Sequence, residues 1–302
     1  MINYYERSVK DKKLKKLSKF KAGCWIDVID PSEKEIDFLE SKFKLDRQNI
    51  LSGLDKNEVV RTEKENENVY ILLKVITKNK KDLDTLLIFI SNNFILTLTK
   101  NNQLFIDDII NNKIKFITTQ RKKSLLTILD LINKTFEKTT SDIVRNVKKE
   151  RESIDEMSDK IINSLLRQED LLNKFILAYH QSALVYTRIT KSIKFFEEDK
   201  ELLEDLIIEA QQGYELCKLS LKNISNIRSY SDILLSHKLN KVINILTIFT
   251  IIISVPAAIS GLYGMNIILP FQENPQAFYY ILAVIVGIWI TFILILRKKK
   301  IL

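Results

Sequence analysis

Apolar and polar positions are distributed very unevenly along this chain. From Leu239 to Leu296 only Lys241 and Glu273 carry charge. Two apolar runs lie inside that stretch, Val242 to Tyr263 and Ala277 to Leu296, and the second has no charged residue. Each is long enough to cross a hydrocarbon core of about 30 Å as a helix, which takes roughly 20 residues. The 264–276 segment between them contains Pro270 and Pro275 and is too short for anything but a hairpin connection, so both ends of the pair face one side. Arg297, Lys298, Lys299 and Lys300 follow the second run directly, and the positive-inside rule then places that side, with both termini, in the cytoplasm.

Upstream, short runs rich in Val, Ile, Phe and Tyr read as strands: Cys24 to Ile29, Val69 to Ile76, Leu86 to Ile90 and Phe94 to Thr99. Asp30-Pro31-Ser32 followed by Glu33 and Glu35 reads as a helix start, with acids near the positive end of the dipole. These elements predict a compact α/β domain over 1–119. From Ser124 to Asn240 there is no Pro and a single Gly, Gly213, and apolar residues recur at three and four spacing, as at Leu125, Ile128, Leu129 and Ile132. The pattern predicts three long helices over 120–241, with turns near Ile161 to Gln168 and Phe196 to Lys200. The last runs without a breaker from about Leu202 into the first apolar run, and some 60 helical residues extend about 90 Å. The expected architecture is therefore an α+β cytoplasmic domain, a long helical stalk and two C-terminal transmembrane helices. Its segments are 242–263 for the first span, 264–276 for the outer loop, 277–296 for the second span and 297–302 for a basic tail.

Composition changes the picture only slightly. The mean hydropathy of −0.04 averages a charged part with an apolar one. The net charge of +9 invites a nucleic-acid reading. The lysines, however, alternate with Asp and Glu on helix-like segments, as on solvated faces, and no nucleic-acid motif is present. Cys24 and Cys217 are far apart with no pairing pattern, which fits a reducing compartment, and the lysine-rich start from Met1 to Lys21 lacks the apolar core of a signal peptide. No nucleophile–base set, paired carboxylates or zinc-ligand spacing points to an enzyme, and His180 and His237 are isolated. The acidic run Glu197, Glu198, Asp199, Glu201, Glu204 and Asp205 reads first as a helix start matched to its dipole.

The first apolar run is unusually polar, with Asn244, Thr247, Thr250, Ser254, Pro256, Ser260 and Gly261. Asn240, Thr247, Ser254 and Gly261 recur every seven residues and so share one helix face. Polar and small residues in a span face other helices or a watery cavity. The run closes on Gly261-Leu262-Tyr263-Gly264-Met265-Asn266. A Gly-Met-Asn tripeptide at that place resembles the signature of the CorA family of magnesium channels, and Trp25-Ile26-Asp27 and Leu239-Asn240-Lys241-Val242 are further local matches. The resemblance covers the whole chain in order.

It implies a homopentameric channel for Mg2+, with Co2+ and Ni2+ as further candidate ions, in the lipid of the cell membrane. Gly264, Met265 and Asn266 would form its selectivity filter, and Asn240, Ile243, Thr247, Ser254 and Gly261 would line the pore. Mg2+ sheds water reluctantly, so neutral acceptors such as the Asn carbonyl suit its hydration shell. Gly264 would turn the backbone tightly, Met265 would pack rather than bind, and a ring of Ile243 could gate by dewetting. The family's regulatory metal site maps to Asp205, which is kept, and to Asn79, where relatives carry an acid; Asp82 and Asp84 are the nearest substitutes. Ser229 also stands where many relatives carry an acid, with Asp232 one turn later. The outer loop reads Leu269-Pro270-Phe271-Gln272-Glu273-Asn274 in place of the commoner Met-Pro-Glu-Leu, leaving Glu273 as the one acid near the mouth. Two rivals stay open. A zinc transporter of the same superfamily is disfavoured by Met265, and a membrane-anchored scaffold that transports nothing would not need the tripeptide.

Overall fold

The computed structural model describes residues 1–80, 82–152, 159–268, 270 and 274–298. By internal contacts the chain forms two units, Met1–Ile227 and Arg228–Leu302.

In the first unit seven strands form one sheet: β1 (Ile2–Glu6), β2 (Lys15–Leu17), β3 (Trp25–Ile29), β4 (Arg61–Glu65), β5 (Asn68–Ile76), β6 (Leu83–Ile90) and β7 (Ile95–Thr99). Their order is β2-β1-β3-β7-β6-β5-β4. The β3–β7 pair is parallel, with Asp27 opposite Thr97, and the other pairs are antiparallel. The central strands are apolar on both faces because both faces are covered. Alternate residues serve two cores. Ile36 of α1 (Glu33–Phe43) and Ile50 of α2 (Arg47–Leu54) share a core with Tyr70, Leu72, Leu87, Phe89, Leu96 and Leu98. Val69, Ile71, Leu73, Leu86, Ile88 and Ile95 face the other way, toward α3 (Leu104–Ile110), α4 (Arg121–Glu152) and α5 (Asp159–Ser192). The edge strands β2 and β4, reading Lys-Lys-Leu and Arg-Thr-Glu-Lys-Glu, are short and charged, which discourages pairing with a foreign strand.

Local chemistry fixes several of these elements. Ser32 caps α1 in a capping box, its own N–H donating to Glu35 Oε2 at 2.9 Å. Asp46 caps α2, accepting from the Asn49 N–H at 2.8 Å. The next long helix, α6, runs from Glu197 to Tyr263, 67 residues without interruption. Its apolar positions Leu203, Leu206, Ala210, Cys217, Ile224 and Ile227 are buried with α4 and α5 in the second core. Asn133 of α4 ties three helices together: its amide donates to Leu206 O at 3.0 Å and its carbonyl accepts from Tyr186 OH at 2.9 Å.

The turn expected at Ile161 to Gln168 is not there; those residues are the first turns of α5. Gln168 is buried and its amide nitrogen donates to Glu150 Oε1 at 3.1 Å and to Ser164 Oγ at 3.1 Å, while Gln168 Oε1 and Glu150 Oε2 are buried without a hydrogen-bond partner among the described residues. The expected start near Leu202 likewise moves back to Glu197.

In the second unit, α6 continues to Tyr263 and α7 spans Ala277–Lys298. Both are long and apolar enough to cross a membrane, with mean hydropathies of 2.4 and 2.6 in their apolar windows. Pro256 sits inside α6 and removes one ladder hydrogen bond. Membrane helices tolerate such a gap where neighbouring helices or hydroxyls compensate.

Candidate ion-conduction site

Asn240, Thr247, Ser254 and Gly261 lie one heptad apart on α6, so the face they share drifts by only about 20° per step. All four are exposed, as is Ile243. The partly covered positions Ile248, Ile251, Ile252, Val255 and Ile259 mark a different face. The expected lining therefore lies bare on a single chain. A Cβ on residue 261 would meet nothing within 4 Å.

The hydroxyls on this helix spend their protons inward. Thr247 Oγ1 donates to Ile243 O and Thr250 Oγ1 to Leu246 O, both at 2.8 Å, and Ser254 Oγ donates to Ile251 O at 3.3 Å. What each hydroxyl still presents is lone pairs. A face of acceptors suits a cation's waters, which point their hydrogens outward.

The helix ends in the tripeptide. The Gly264 N–H still donates to Ser260 O at 2.9 Å, and Met265 N–H donates to Leu262 O at 3.3 Å. A Cβ on residue 264 would lie 3.2 Å from Ser260 O, tighter than ordinary contact. Gly264 lies in the turn that follows α6, with φ outside the left-handed region, and the close approach to Ser260 O leaves little room for a side chain there. Asn266 is exposed, and its amide makes no hydrogen bond among the described residues. Tyr263 OH donates to Pro270 O at 3.4 Å. Glu273, Lys299 and Lys300 lie outside the described residues. Arg297 and Lys298 occupy the last turn of α7, where cations favour the negative end of the dipole.

The expected regulatory residues are scattered over the first unit. Asp205 is exposed on α6 and lines a groove of about 330 Å3 that also carries Asp130 and Glu209. Asn79 accepts from Thr77 Oγ1 at 2.7 Å in the β5–β6 turn. Asp82 is ion-paired with Lys56 and with Lys174, the latter at 3.3 Å, which hold its carboxyl below the ordinary range against the effect of burial. Asp84 is buried in β6 and accepts from Asn101 Nδ2 at 3.0 Å and Gln103 Nε2 at 3.4 Å. Among the described residues nothing joins Asp205 to Asn79, Asp82 or Asp84, and no group of three His, Cys, Asp or Glu side chains could hold a metal ion.

Sequence reasoning singled out Trp25-Ile26-Asp27 only as a family match. The structure gives it a physical role. Trp25 Nε1 donates to Thr97 Oγ1 at 2.9 Å, and that hydroxyl donates to Asp27 Oδ1 at 3.0 Å. Asp27 is fully buried and its Oδ2 has no hydrogen-bond partner among the described residues. Burial pushes its carboxyl up to about 7, partly offset by the Thr97 hydrogen bond.

Comparison with known proteins decides the family. Residues 20–298 match the family model described as "CorA-like Mg2+ transporter protein". The chain belongs to the CorA family. It is 30% identical over 288 residues to a cobalt/magnesium transport protein CorA of Methanocaldococcus jannaschii, covering 91% of this chain and 90% of that one. A magnesium transport protein CorA of Wolinella succinogenes is 23% identical over 293 residues, covering 91% and 89%. Among solved structures, the complete CorA magnesium transporter of M. jannaschii superposes with a TM-score of 0.86 over 99% of this chain and 98% of that one, at 24% identity. The full-length CmaX protein follows the same fold with a TM-score of 0.78 over 99% and 97%, at 14% identity. The CorA fold thus accounts for the α+β domain, the long helices and the two C-terminal apolar helices.

Proposed function

We propose that this CorA-family chain carries Mg2+, with Co2+ and Ni2+ as secondary ions, across the cell membrane through a pore made by copies of itself. Five copies of α6 would surround the pore, and segment 277–296 would form an outer ring of second spans. The observation that carries this reading is the Gly264-Met265-Asn266 tripeptide closing an apolar span. The bare heptad face beneath it presents hydroxyl oxygens whose protons are already used. Relatives named for cobalt and magnesium transport support the choice of ions.

In this reading the Asn266 amide oxygens accept hydrogen bonds from the waters of the arriving ion, so Mg2+ enters without full dehydration. Thr247 and Ser254 continue the acceptor face below. The membrane potential drives inward movement, and two charges moving through about 100 mV release roughly 4.6 kcal/mol. Both termini lie in the cytoplasm, with the basic end of α7 at the inner surface. The β5–β6 turn and Asp205 of a neighbouring copy form the regulatory contact, where Mg2+ would screen opposing acids. Asp82 is the better placed acid of that turn, because Asp84 is buried and satisfied within its own sheet.

Uptake into proteoliposomes tests the reading. Wild type is expected to take up Mg2+ in response to an inside-negative potential, and Asn266→Ala is expected to assemble normally yet conduct at background. Normal flux through a correctly assembled Asn266→Ala variant would remove the filter. Zinc uptake without magnesium uptake would replace the ion.

A further inference from the structure

The first turn of α4 reads Arg121-Lys122-Lys123 and has no acidic residue. A helix N-terminus carries about half a positive charge, so three cations there oppose the dipole and one another. Another long helix that starts in the same unit follows the opposite rule, with Glu197, Glu198 and Asp199 opening α6. A local rule broken without compensation inside the chain marks a place where something outside it compensates.

The cations of α4 do not stand alone. They line a cavity of about 530 Å3 with Lys64 of β4 and Lys194 of the α5–α6 connection. That volume falls in the range of about 300–1,000 Å3 typical of small-molecule sites. Lys64 donates to Ser192 O at 3.1 Å, and Lys122 donates to Lys194 O. Arg121, Lys123 and Lys194 have no ion-pair partner among the described residues. The first ladder bond of α4 runs from Ser124 N–H to Gln120 O, so the amides of 121–123 stay open, as first-turn amides do.

Two further features point to a ligand larger than a bare anion. Asp199 lines the cavity and is 3% exposed, yet its carboxylate makes no hydrogen bond or ion pair among the described residues. Its oxygens keep solvent contact at the cavity, where a bound amine or hydroxyl would donate to them. Phe196 lines the same cavity with 76% of its surface in water, and Lys122 Nζ lies 6.0 Å from its ring centroid. An exposed ring beside cations is a stacking platform for a planar base.

We propose that this cavity binds a nucleoside phosphate. Its phosphates would lie on the open amides of α4 among Arg121, Lys123 and Lys194, its base would stack on Phe196, and a base amine or ribose hydroxyl would donate to Asp199. Open helix N-termini ringed by cations are anion sites by construction. The carboxylate and the ring select a nucleoside over inorganic phosphate.

Calorimetric titration of the full-length protein in detergent tests this, with EDTA present so that no metal bridges ligand and protein. The probes are adenosine diphosphate, inorganic pyrophosphate and adenosine. The expected result is saturable binding of the diphosphate at one site per chain, with pyrophosphate and adenosine each weaker. Lys123→Glu and Lys194→Glu alter exposed side chains and should each weaken the diphosphate by about tenfold or more. Phe196→Ala should weaken the diphosphate and leave pyrophosphate unchanged. Pyrophosphate binding as tightly as the diphosphate, with no effect of Phe196→Ala, would overturn the nucleoside assignment. Absence of saturation, or undiminished binding in both charge-reversal variants with an unchanged melting temperature, would overturn the site.

Discussion

Gly213 of α6 packs against the ring of Tyr179 on α5 so closely that a Cβ there would overlap the ring carbons Cε1 and Cζ. Tyr179 is held on its other sides by the Phe136 ring, centroids 5.3 Å apart, and by Thr140 Oγ1 at 3.2 Å from its hydroxyl. These contacts hold the ring in place. Gly213→Ala is therefore expected to destabilise the first unit by about 1–3 kcal/mol, the usual cost of overpacking. Thermal unfolding measures it, and an unchanged midpoint would show that α5 and α6 can part without cost.

Asp27 makes stability depend on pH in the direction opposite to an ordinary surface carboxylate. Its folded pKa is raised to about 7, against about 3.9 unfolded. Below pH 4 the carboxyl is neutral in both states and its contribution is intact. As pH rises through 7 the folded state must bury a charge, and that contribution is lost. The loss amounts to as much as about 4 kcal/mol. Asp27→Asn is expected to remove this component, so the stability difference between variant and wild type should grow in the variant's favour from pH 4 to 8. A difference independent of pH would mean that folding does not raise the Asp27 pKa.

The proposed topology, with both termini in the cytoplasm, predicts which engineered cysteines an impermeant thiol reagent reaches on intact cells. Asn274→Cys should label and Lys138→Cys should not. Cys24 and Cys217 are both buried, and burial pushes the Cys217 thiol up to about 11, so the native thiols give little background. Labelling at 138 but not at 274 would invert the orientation.

Asp205 is expected to make protease resistance of the long helices depend on Mg2+. High Mg2+ should slow cleavage of the wild type, and Asp205→Lys, which carries its own cation, should be cleaved at one rate with or without it. Equal wild-type rates in both conditions would return Asp205 to the role of a solvated helix acid.

Much of the architecture is legible in the sequence because the physics acts locally. The capping signal at Ser32 and Glu35 marks α1, and the two apolar runs mark the spans without help from any partner. The tripeptide after Tyr263 is readable for the same reason. What escapes depends on neighbours. Strand β4 reads as a polar loop because an edge strand with charges needs only one partner, and β1 hides its pattern behind a buried Asn3 and Tyr5. The cap at Asp46 was readable in principle and marks a short helix, α2, that the apolar pattern alone passes over. Asp84 looks like a spare acid next to a loop, yet its fate is set by Asn101 and Gln103, far along the chain. The basic first turn of α4 is visible as a string of letters, but the convergence of Lys64, Lys194 and Asp199 on it is a product of folding.

The order of the two units along the chain has a consequence for how the protein is made. Residues Arg228 to Leu302 are synthesised after the whole of the first unit. At about 5–20 residues per second they take roughly 4–15 s to emerge. Helices and hairpins form within microseconds. The sheet and its covering helices thus have time to close over their cores while the apolar segments are still being translated. The two helices long and apolar enough to cross a membrane therefore emerge last, attached to a unit that has had time to fold.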